Sequence, residues 1–213
     1  MKPARTLIVS AVFLAIAAGV AVWLYPRLPA QVPVHWNPHG RIDRYGPRGW
    51  VAAMPALLIA GIAVLTVLLP AISPRRFEIA PFARVYGLLM LVIQGMFLVI
   101  GLSVLLVGAG YPLPVPAIAM LAIGALFMVL GNYMGKLRKN FFVGIRTPWT
   151  LSSDAVWERT HRMGGWLFML GGLVAVVATL AGAPWWIALS ALIAAALLPV
   201  AYSFWIYRTH GCD

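Results

Sequence analysis

Residues 85–135 read VYGLLMLVIQGMFLVIGLSVLLVGAGYPLPVPAIAMLAIGALFMVLGNYMG, and none of these 51 residues is charged. A transmembrane helix needs about 20 consecutive apolar residues, so this stretch is too long for one membrane crossing and long enough for two. It also contains a run of turn-forming residues, GAGYPLPVP at 108–116, where a helix is expected to break. The sequence therefore predicts two membrane-spanning helices here, over about 84–107 and 117–134.

Three further charge-free stretches extend this pattern along the chain. They cover 6–25, 49–74 and 163–207, and the last is interrupted near Gly182-Ala-Pro184. We predict spans over 6–25, about 50–72, 164–182 and 185–207. A signal-peptide core is the alternative for the first span, but such a core has only about 7 to 15 residues. This one is longer and ends in Trp23 and Tyr25, as interfacial anchors do, so we expect a retained helix.

The composition of the whole chain excludes the soluble classes. Of its 213 residues 62% are hydrophobic and 10% are charged, whereas soluble domains have about a quarter charged residues. Aromatic residues at 12% and a mean hydropathy of +0.92 exclude a disordered chain. The net charge of +11 would suggest nucleic-acid binding in a soluble protein. In a membrane protein it indicates basic loops beside anionic lipid headgroups, so we expect contact with membrane lipid and no direct nucleic-acid binding.

The distribution of basic residues predicts the orientation in the membrane. Twelve Lys and Arg residues lie in the N-terminus, in 73–84, in 135–163 and in the C-terminus, against four on the opposite side. Cytoplasmic loops carry the excess of Lys and Arg. We therefore expect a multi-pass membrane protein with both termini in the cytoplasm. The single cysteine, Cys212, permits no internal disulfide.

The predicted fold class is all-α: a polytopic integral membrane protein with six transmembrane helices and a short interfacial helix between the fourth and fifth. Three parts are expected along the chain. Residues 1–72 form a first helical hairpin with an extracytoplasmic proline-rich loop at 26–49, residues 73–134 form a second hairpin, and residues 135–213 comprise a cytoplasmic loop at 135–163 and a C-terminal hairpin.

The outer loop carries the clustered polar residues of its side of the membrane. His35, His39 and Asp43 recur at four-residue intervals and on a helix could supply three metal ligands. Pro38 and Gly40 oppose such a helix. We favour an ordered, proline-rich cap in which these side chains hydrogen-bond the loop, and we expect neither a metal nor a cofactor. Asp43, the one acid of this loop, is expected to pair with Arg41, Arg44 or Arg48.

Within the predicted spans, polar residues are few. Gln94 in the third span is interpreted as an interhelical hydrogen-bonding residue, with a substrate ligand as the alternative. The absence of ionisable residues at mid-depth argues against a proton-coupled pump. Neither an HExxH zinc motif nor a serine or cysteine nucleophile arrangement occurs, and we expect the protein not to be an enzyme.

The 135–163 segment combines basic and aromatic residues and suits the membrane interface. Ser152, Ser153 or Asp154 can cap a short helix in it. On that helix Glu158 and Arg162 would form an i,i+4 pair, and Trp157 and His161 would share one face. Two interpretations stay open: an interfacial helix seated against the bundle, or a platform that binds a partner.

Three stretches resemble one known family. GNYMGKLRKNFFVGIRTPWTL at 131–151 and VWERTHRMGG at 156–165 are similar to the SdpI-like family, and VPVHWNPHGRIDRYG at 32–46 resembles that family's N-terminal module of unknown function. The resemblance covers both major loops. It implies a bacterial membrane protein that gives immunity to a secreted toxic peptide and that signals by holding a small DNA-binding autorepressor at the membrane.

The resemblance also identifies candidate binding residues, by their matching positions in the family's motifs. The cytoplasmic motif contains Asn140, Gly144, Arg146, Pro148, Trp149, Trp157, His161 and Arg162, of which Asn140, Arg146, Trp149, Trp157, His161 and Arg162 are predicted to serve partner binding. The outer motif contains His35, Asn37, Gly40 and Asp43, which are predicted to bind an extracytoplasmic ligand. The alternative function is a transporter or export factor for a small amphipathic molecule.

Overall fold

A computed structural model describes residues 3–37, 39–74 and 78–210 of the chain. Pro38 and Cys212 therefore lie outside the described residues. The elements follow in the order α1 (Pro3–Leu24), β1 (Gln31–Trp36), β2 (Ile42–Pro47), α2 (Arg48–Ile72), α3 (Ala83–Gly108), α4 (Val115–Met134), α5 (Pro148–Ser152), α6 (Asp154–Leu180) and α7 (Trp185–His210). Six of the described helices, all but α5, are long and apolar enough to cross a membrane, which confirms the six predicted spans.

The two predicted breaks within the long apolar stretches are both glycine-terminated helix ends. Gly110 has a φ of +95° and Gly182 a φ of +65°, backbone conformations that favour glycine. After α6 the Ala183 amide donates to the Ala178 carbonyl and the Gly182 amide to the Thr179 carbonyl, at 2.9 and 3.2 Å. This is the Schellman arrangement, in which a left-handed residue satisfies the last carbonyl groups of a helix.

The predicted 26–49 loop contains a β-hairpin, which adds a small sheet to the otherwise helical fold. Strands β1 and β2 pair antiparallel, with Val32 opposite Gly46 and Trp36 opposite Ile42. Gly40 lies in the turn with a φ of +76°. The fully buried Val32 belongs to an apolar cluster with Leu24 of α1 and Leu105 of α3, so the hairpin caps this end of the bundle, as expected.

The six long helices pack in two groups of three. In the first group α1, α2 and α3 contact one another, with Ala17, Ile59 and Leu98 in a shared buried cluster. In the second group α6 lies between α4 and α7 and contacts both extensively. The two groups meet where α3 packs on α4. The second group therefore depends on close contacts along both sides of α6.

Glycine residues allow the α4 and α6 backbones to touch. A Cβ atom added to Gly131 would lie 2.6 Å from the Gly165 carbonyl oxygen, and one added to Gly172 would lie 2.5 Å from the Gly124 carbonyl oxygen. Small residues permit such close approach of membrane helices. These two contacts, seven residues apart on each helix, set the distance between α4 and α6.

The fifth span begins earlier than predicted. The short helix expected to begin at residues 152–154 and to carry Trp157 and His161 is the first part of α6, and a separate short helix, α5, lies before it. Ser153 caps α6 by accepting from the Val156 amide. The Gly164-Gly165 pair lies inside α6, and a Cβ on Gly164 would meet the Ile145 side chain at 2.7 Å, so packing requires a small residue there.

Gln94 does not form the predicted interhelical hydrogen bond. Its side chain is fully buried in α3, and neither its amide nitrogen nor its amide oxygen has a hydrogen-bond partner. The prediction of an interhelical hydrogen bond at Gln94 was therefore wrong.

Candidate functional site

The 135–163 segment folds over one end of the second helix group. Its short helix α5 is capped by the preceding Thr147, whose side chain accepts from the Thr150 amide while the Thr150 hydroxyl accepts from the Thr147 amide. Trp149 anchors α5 to α7, because its indole nitrogen donates to the Ser203 hydroxyl and its ring lies 5.2 Å from the Phe204 ring centre. The segment is thus attached to the last transmembrane helix as well as to α4 and α6.

Asn140 organises the loop between α4 and α5. Its side chain is fully buried, and its amide nitrogen donates to the carbonyl oxygens of Arg138 and Val143, both at 2.9 Å. Its amide oxygen accepts from the amides of Phe142 at 2.9 Å and of Val143 at 2.7 Å. Four hydrogen bonds from one side chain replace the regular backbone ladder that this loop lacks.

His161 connects the loop to α6. Its Nε2 atom accepts from the Ile145 amide at 3.0 Å, and its Nδ1 atom lies 2.8 Å from the Trp157 carbonyl oxygen. A backbone amide can only donate and a carbonyl can only accept, so the ring is neutral with its proton on Nδ1. Gly144 has a φ of +114°, and an added Cβ would lie only 2.4 Å from Nε2, so both backbone conformation and space require glycine there.

Trp157 completes this buried cluster. Its ring stacks on the imidazole of His161, with ring centres 3.9 Å apart, and its indole nitrogen donates to the Leu137 carbonyl at 2.9 Å. The exposed fractions of Trp157 and His161 are 2% and 1%. These two residues and Asn140 therefore stabilise the segment from its interior. Contact with another molecule is left to their exposed neighbours.

A cleft of about 550 Å³ lies beside these residues, at the junction of the loop and the first turns of α6. We call it the α6 cleft. Its charged lining residues are Arg138, Lys139, Asp154, Glu158 and Arg162. Lys139 forms an ion pair with Asp154 at 2.5 Å. In the described part of the chain the predicted Glu158–Arg162 pair does not form, so both side chains line the cleft without pairing to each other.

On the opposite end of the molecule, the turn of the β-hairpin is built by Asn37. Its side-chain oxygen accepts from the amides of His39 and Arg41, both at 3.0 Å, and the Gly40 amide donates to the Asn37 carbonyl at 2.9 Å. Asn37 and Gly40 are therefore turn-forming residues. They fix the turn that joins β1 to β2.

Asp43 pairs with His35, not with an arginine as predicted. The His35 Nδ1 atom lies 2.5 Å from an Asp43 carboxylate oxygen, and both side chains are about half exposed. Arg44 is the residue opposite His35, at a point where the strand register is irregular, and it forms no ion pair with Asp43 within the described ranges. Arg48 instead lies over the ring of Tyr25, with its guanidinium carbon 5.1 Å from the ring centre. Within the described ranges no three His, Cys, Asp or Glu side chains are close enough to hold a metal ion.

Comparison with known proteins finds relatives for both ends of the molecule. A family model described as the SdpI/YfhL protein family matches residues 136–203, and one described as a domain of unknown function, DUF1648, matches residues 12–59. The immunity protein SdpI of Bacillus subtilis (strain 168) is 25% identical over 171 residues, which are 80% of this chain and 79% of that protein. The chain therefore resembles the SdpI-like family. No solved structure matches it.

The predicted cytoplasmic residues fall into three sets. Asn140, Trp157 and His161 are buried and hold the segment together, Trp149 is partly buried against α7, and Arg146 and Arg162 are exposed. Arg146 lies against Phe141, donating to its carbonyl oxygen and stacking on its ring. Partner binding by these residues stays a prediction, and so does ligand binding by His35, Asn37, Gly40 and Asp43.

Three structural residues of the site were missed from sequence. Thr147 and Thr150 form the capping box of α5, and Ser203 on α7 receives the Trp149 indole. The Thr-Pro-Trp-Thr order offered a signal for the first two, because proline is favoured at the first helical position behind a threonine cap. For Ser203 the sequence offered none, since it lies 54 residues beyond Trp149.

Proposed function

We propose that this SdpI-like chain is a bacterial inner-membrane immunity and signal-transduction protein. It protects its cell against a secreted toxic peptide and holds a cytoplasmic DNA-binding repressor at the membrane. The supporting observation is the ordered 135–163 segment, whose buried hydrogen bonds from Asn140 and His161 keep its exposed surface in one arrangement. A surface that is already ordered binds a partner at lower entropic cost.

In this proposal the partner contacts the exposed arginines of the segment, Arg146 and Arg162. Arg162 lines the α6 cleft, and Arg146 is held against Phe141 at the edge of the loop. Guanidinium groups suit recognition of carboxylates because they donate two parallel hydrogen bonds. The repressor is therefore expected to present acidic residues to this face, and the face lies in the cytoplasm.

The outer hairpin would then meet the toxic peptide. Asn37 and Gly40 fix the turn, and the exposed His35 and Asp43 side chains are available for contact. Val32 packs the hairpin against α1 and α3, so a ligand that binds the hairpin can shift these two helices. This is the route by which an outer signal would reach the helices.

Protection is tested by a survival assay in a toxin-sensitive bacterium with and without this chain. We expect survival to depend on the chain and to fall with the double variant His35→Ala/Asp43→Ala. Gln31→Ala, an exposed change at the base of the same hairpin, is the matched control. Equal survival with and without the protein would refute the immunity role. Unchanged survival with the double variant would remove the hairpin from the mechanism.

Signalling is tested by the membrane fraction of a labelled cognate repressor in cells exposed to toxin. Arg146→Gln/Arg162→Gln should abolish recruitment at normal expression, whereas Arg159→Gln, an exposed arginine on the same helix outside the cleft, should not. Intact recruitment with the double variant would refute the platform. Ligand-dependent flux in proteoliposomes, with no effect on survival, would establish the transporter alternative instead.

A further inference from the structure

A second cleft, of about 730 Å³, lies between the start of α3 and the end of α4. We call it the α3 cleft. Helix α4 has 20 residues, which is about 30 Å of helix and matches the thickness of the hydrocarbon core of a bilayer. Its ends therefore lie at the level of the lipid headgroups. Of the residues that follow it, Gly135, Lys136 and Arg138 line the cleft at that depth.

The side chains lining the α3 cleft carry positive charge alone. Its charged residues are Arg84, Lys136 and Arg138, with no Asp or Glu among the described residues that line it. Arg84 and Arg138 are exposed and form no ion pair within the described ranges. The Lys136 ammonium lies 4.6 Å from the ring centre of Tyr133, a contact that leaves its hydrogen-bond donors available. The α6 cleft differs, since its Lys139 is already neutralised by Asp154.

The remaining walls of the α3 cleft are apolar. They include Ala80, Pro81, Val85 and the largely buried ring of Phe82. A soluble anion gains nothing from such walls, whereas a phospholipid places its glycerol backbone and ester groups beside its phosphate. Basic pockets between transmembrane helices at the membrane interface suit anionic headgroups.

We propose that the α3 cleft binds the headgroup of an anionic phospholipid from the adjacent leaflet. The guanidinium groups of Arg84 and Arg138 hold the phosphate, for which their paired donors are matched in geometry. Lys136 adds charge at the rim, and the apolar walls take the glycerol region. The α3 cleft adjoins the α6 cleft and shares Arg138 with it, but it does not include Arg146 or Arg162, which the proposed partner-binding surface uses.

The test titrates fluorescent phosphatidylglycerol, or phosphatidylcholine for comparison, into the purified full-length protein in detergent micelles. We expect phosphatidylglycerol to bind at least tenfold more tightly. Arg84→Gln/Arg138→Gln should weaken that binding roughly 25-fold, which is about fivefold for each charge removed. Arg41→Gln/Arg44→Gln, which removes the same charge from the outer hairpin, should change it less than about twofold.

Three results would overturn the proposal. They are equal affinity for the two lipids, an equal loss in both double variants, and displacement of the lipid by soluble glycerol phosphate at the same concentration as by phosphatidylglycerol. The last result would assign the cleft to a soluble phosphate. Photoactivatable phosphatidylglycerol on the unmodified protein provides a measurement independent of the variants. Crosslinks should map to 80–85 and 135–138, and crosslinks confined to other segments would refute the site.

Discussion

Replacing Asn140 by Asp keeps the shape of the side chain but exchanges an amide group, which donates hydrogen bonds, for a carboxyl group, which can carry a negative charge. Two acceptor bonds, from the amides of Phe142 and Val143, survive the change. The two donor bonds are lost, and a carboxylate oxygen then faces the carbonyl oxygens of Arg138 and Val143 at 2.9 Å. Leaving one carbonyl group unpaired costs roughly 1 to 3 kcal/mol, which includes the lost hydrogen bond, and we take about 1.5 kcal/mol for each of the two. We expect a loss of about 3 kcal/mol.

A loss of that size corresponds to a decrease of about 6 to 12 °C in melting temperature for a chain of this length. The measurement is thermal unfolding of the purified protein in detergent. The matched control is Asn132→Asp, which makes the same chemical change at an exposed position of α4. Protease sensitivity of the 135–147 loop should rise only in the Asn140 variant. Melting temperatures of the two variants within about 2 °C of each other would refute the role assigned to Asn140.

Three other predictions concern packing, the histidine and orientation. Gly131→Ala should lower the melting temperature because its Cβ would lie 2.6 Å from a backbone carbonyl of α6, whereas Gly135→Ala, with nothing within 4 Å, should not; equal effects would contradict the close contact. His161→Phe keeps the stacking but leaves the buried Ile145 amide without an acceptor, so thermal unfolding should show a loss of about 1 to 3 kcal/mol, and an unchanged stability would contradict the hydrogen bond. A cysteine introduced at Ala30 should react with a membrane-impermeant reagent in intact cells while the native cysteine at 212 does not, and the reverse pattern would overturn the predicted orientation.

Most of the helical architecture was predictable from sequence because a bilayer imposes a simple requirement. Each crossing needs about 20 apolar residues with internally satisfied backbone groups, and only a helix meets that need within one segment. The turn formers at 108–116 and at 182–184 therefore marked the helix ends within a few residues. The β-hairpin was not predicted, because outside the bilayer core this requirement is absent and prolines interrupt the strand pattern.

The location of the site was predictable from the sequence, but its hydrogen bonds and ion pairs were not. Sequence pointed to 135–163 and to Asn140, Trp157 and His161, but it could not distinguish a surface platform from buried support. Burial depends on which helices meet: His161 is covered because Gly144 and the Ile145 amide come to it from 16 or more residues away in the chain. The same holds for Asp43, whose neighbours in sequence are arginines and whose partner is a histidine on the facing strand. Membrane-spanning segments can be predicted from local composition because each depends on the hydrophobicity of one continuous stretch of chain. Hydrogen bonds and ion pairs form between atoms a few ångströms apart. Those distances are set only when the helices and strands have packed.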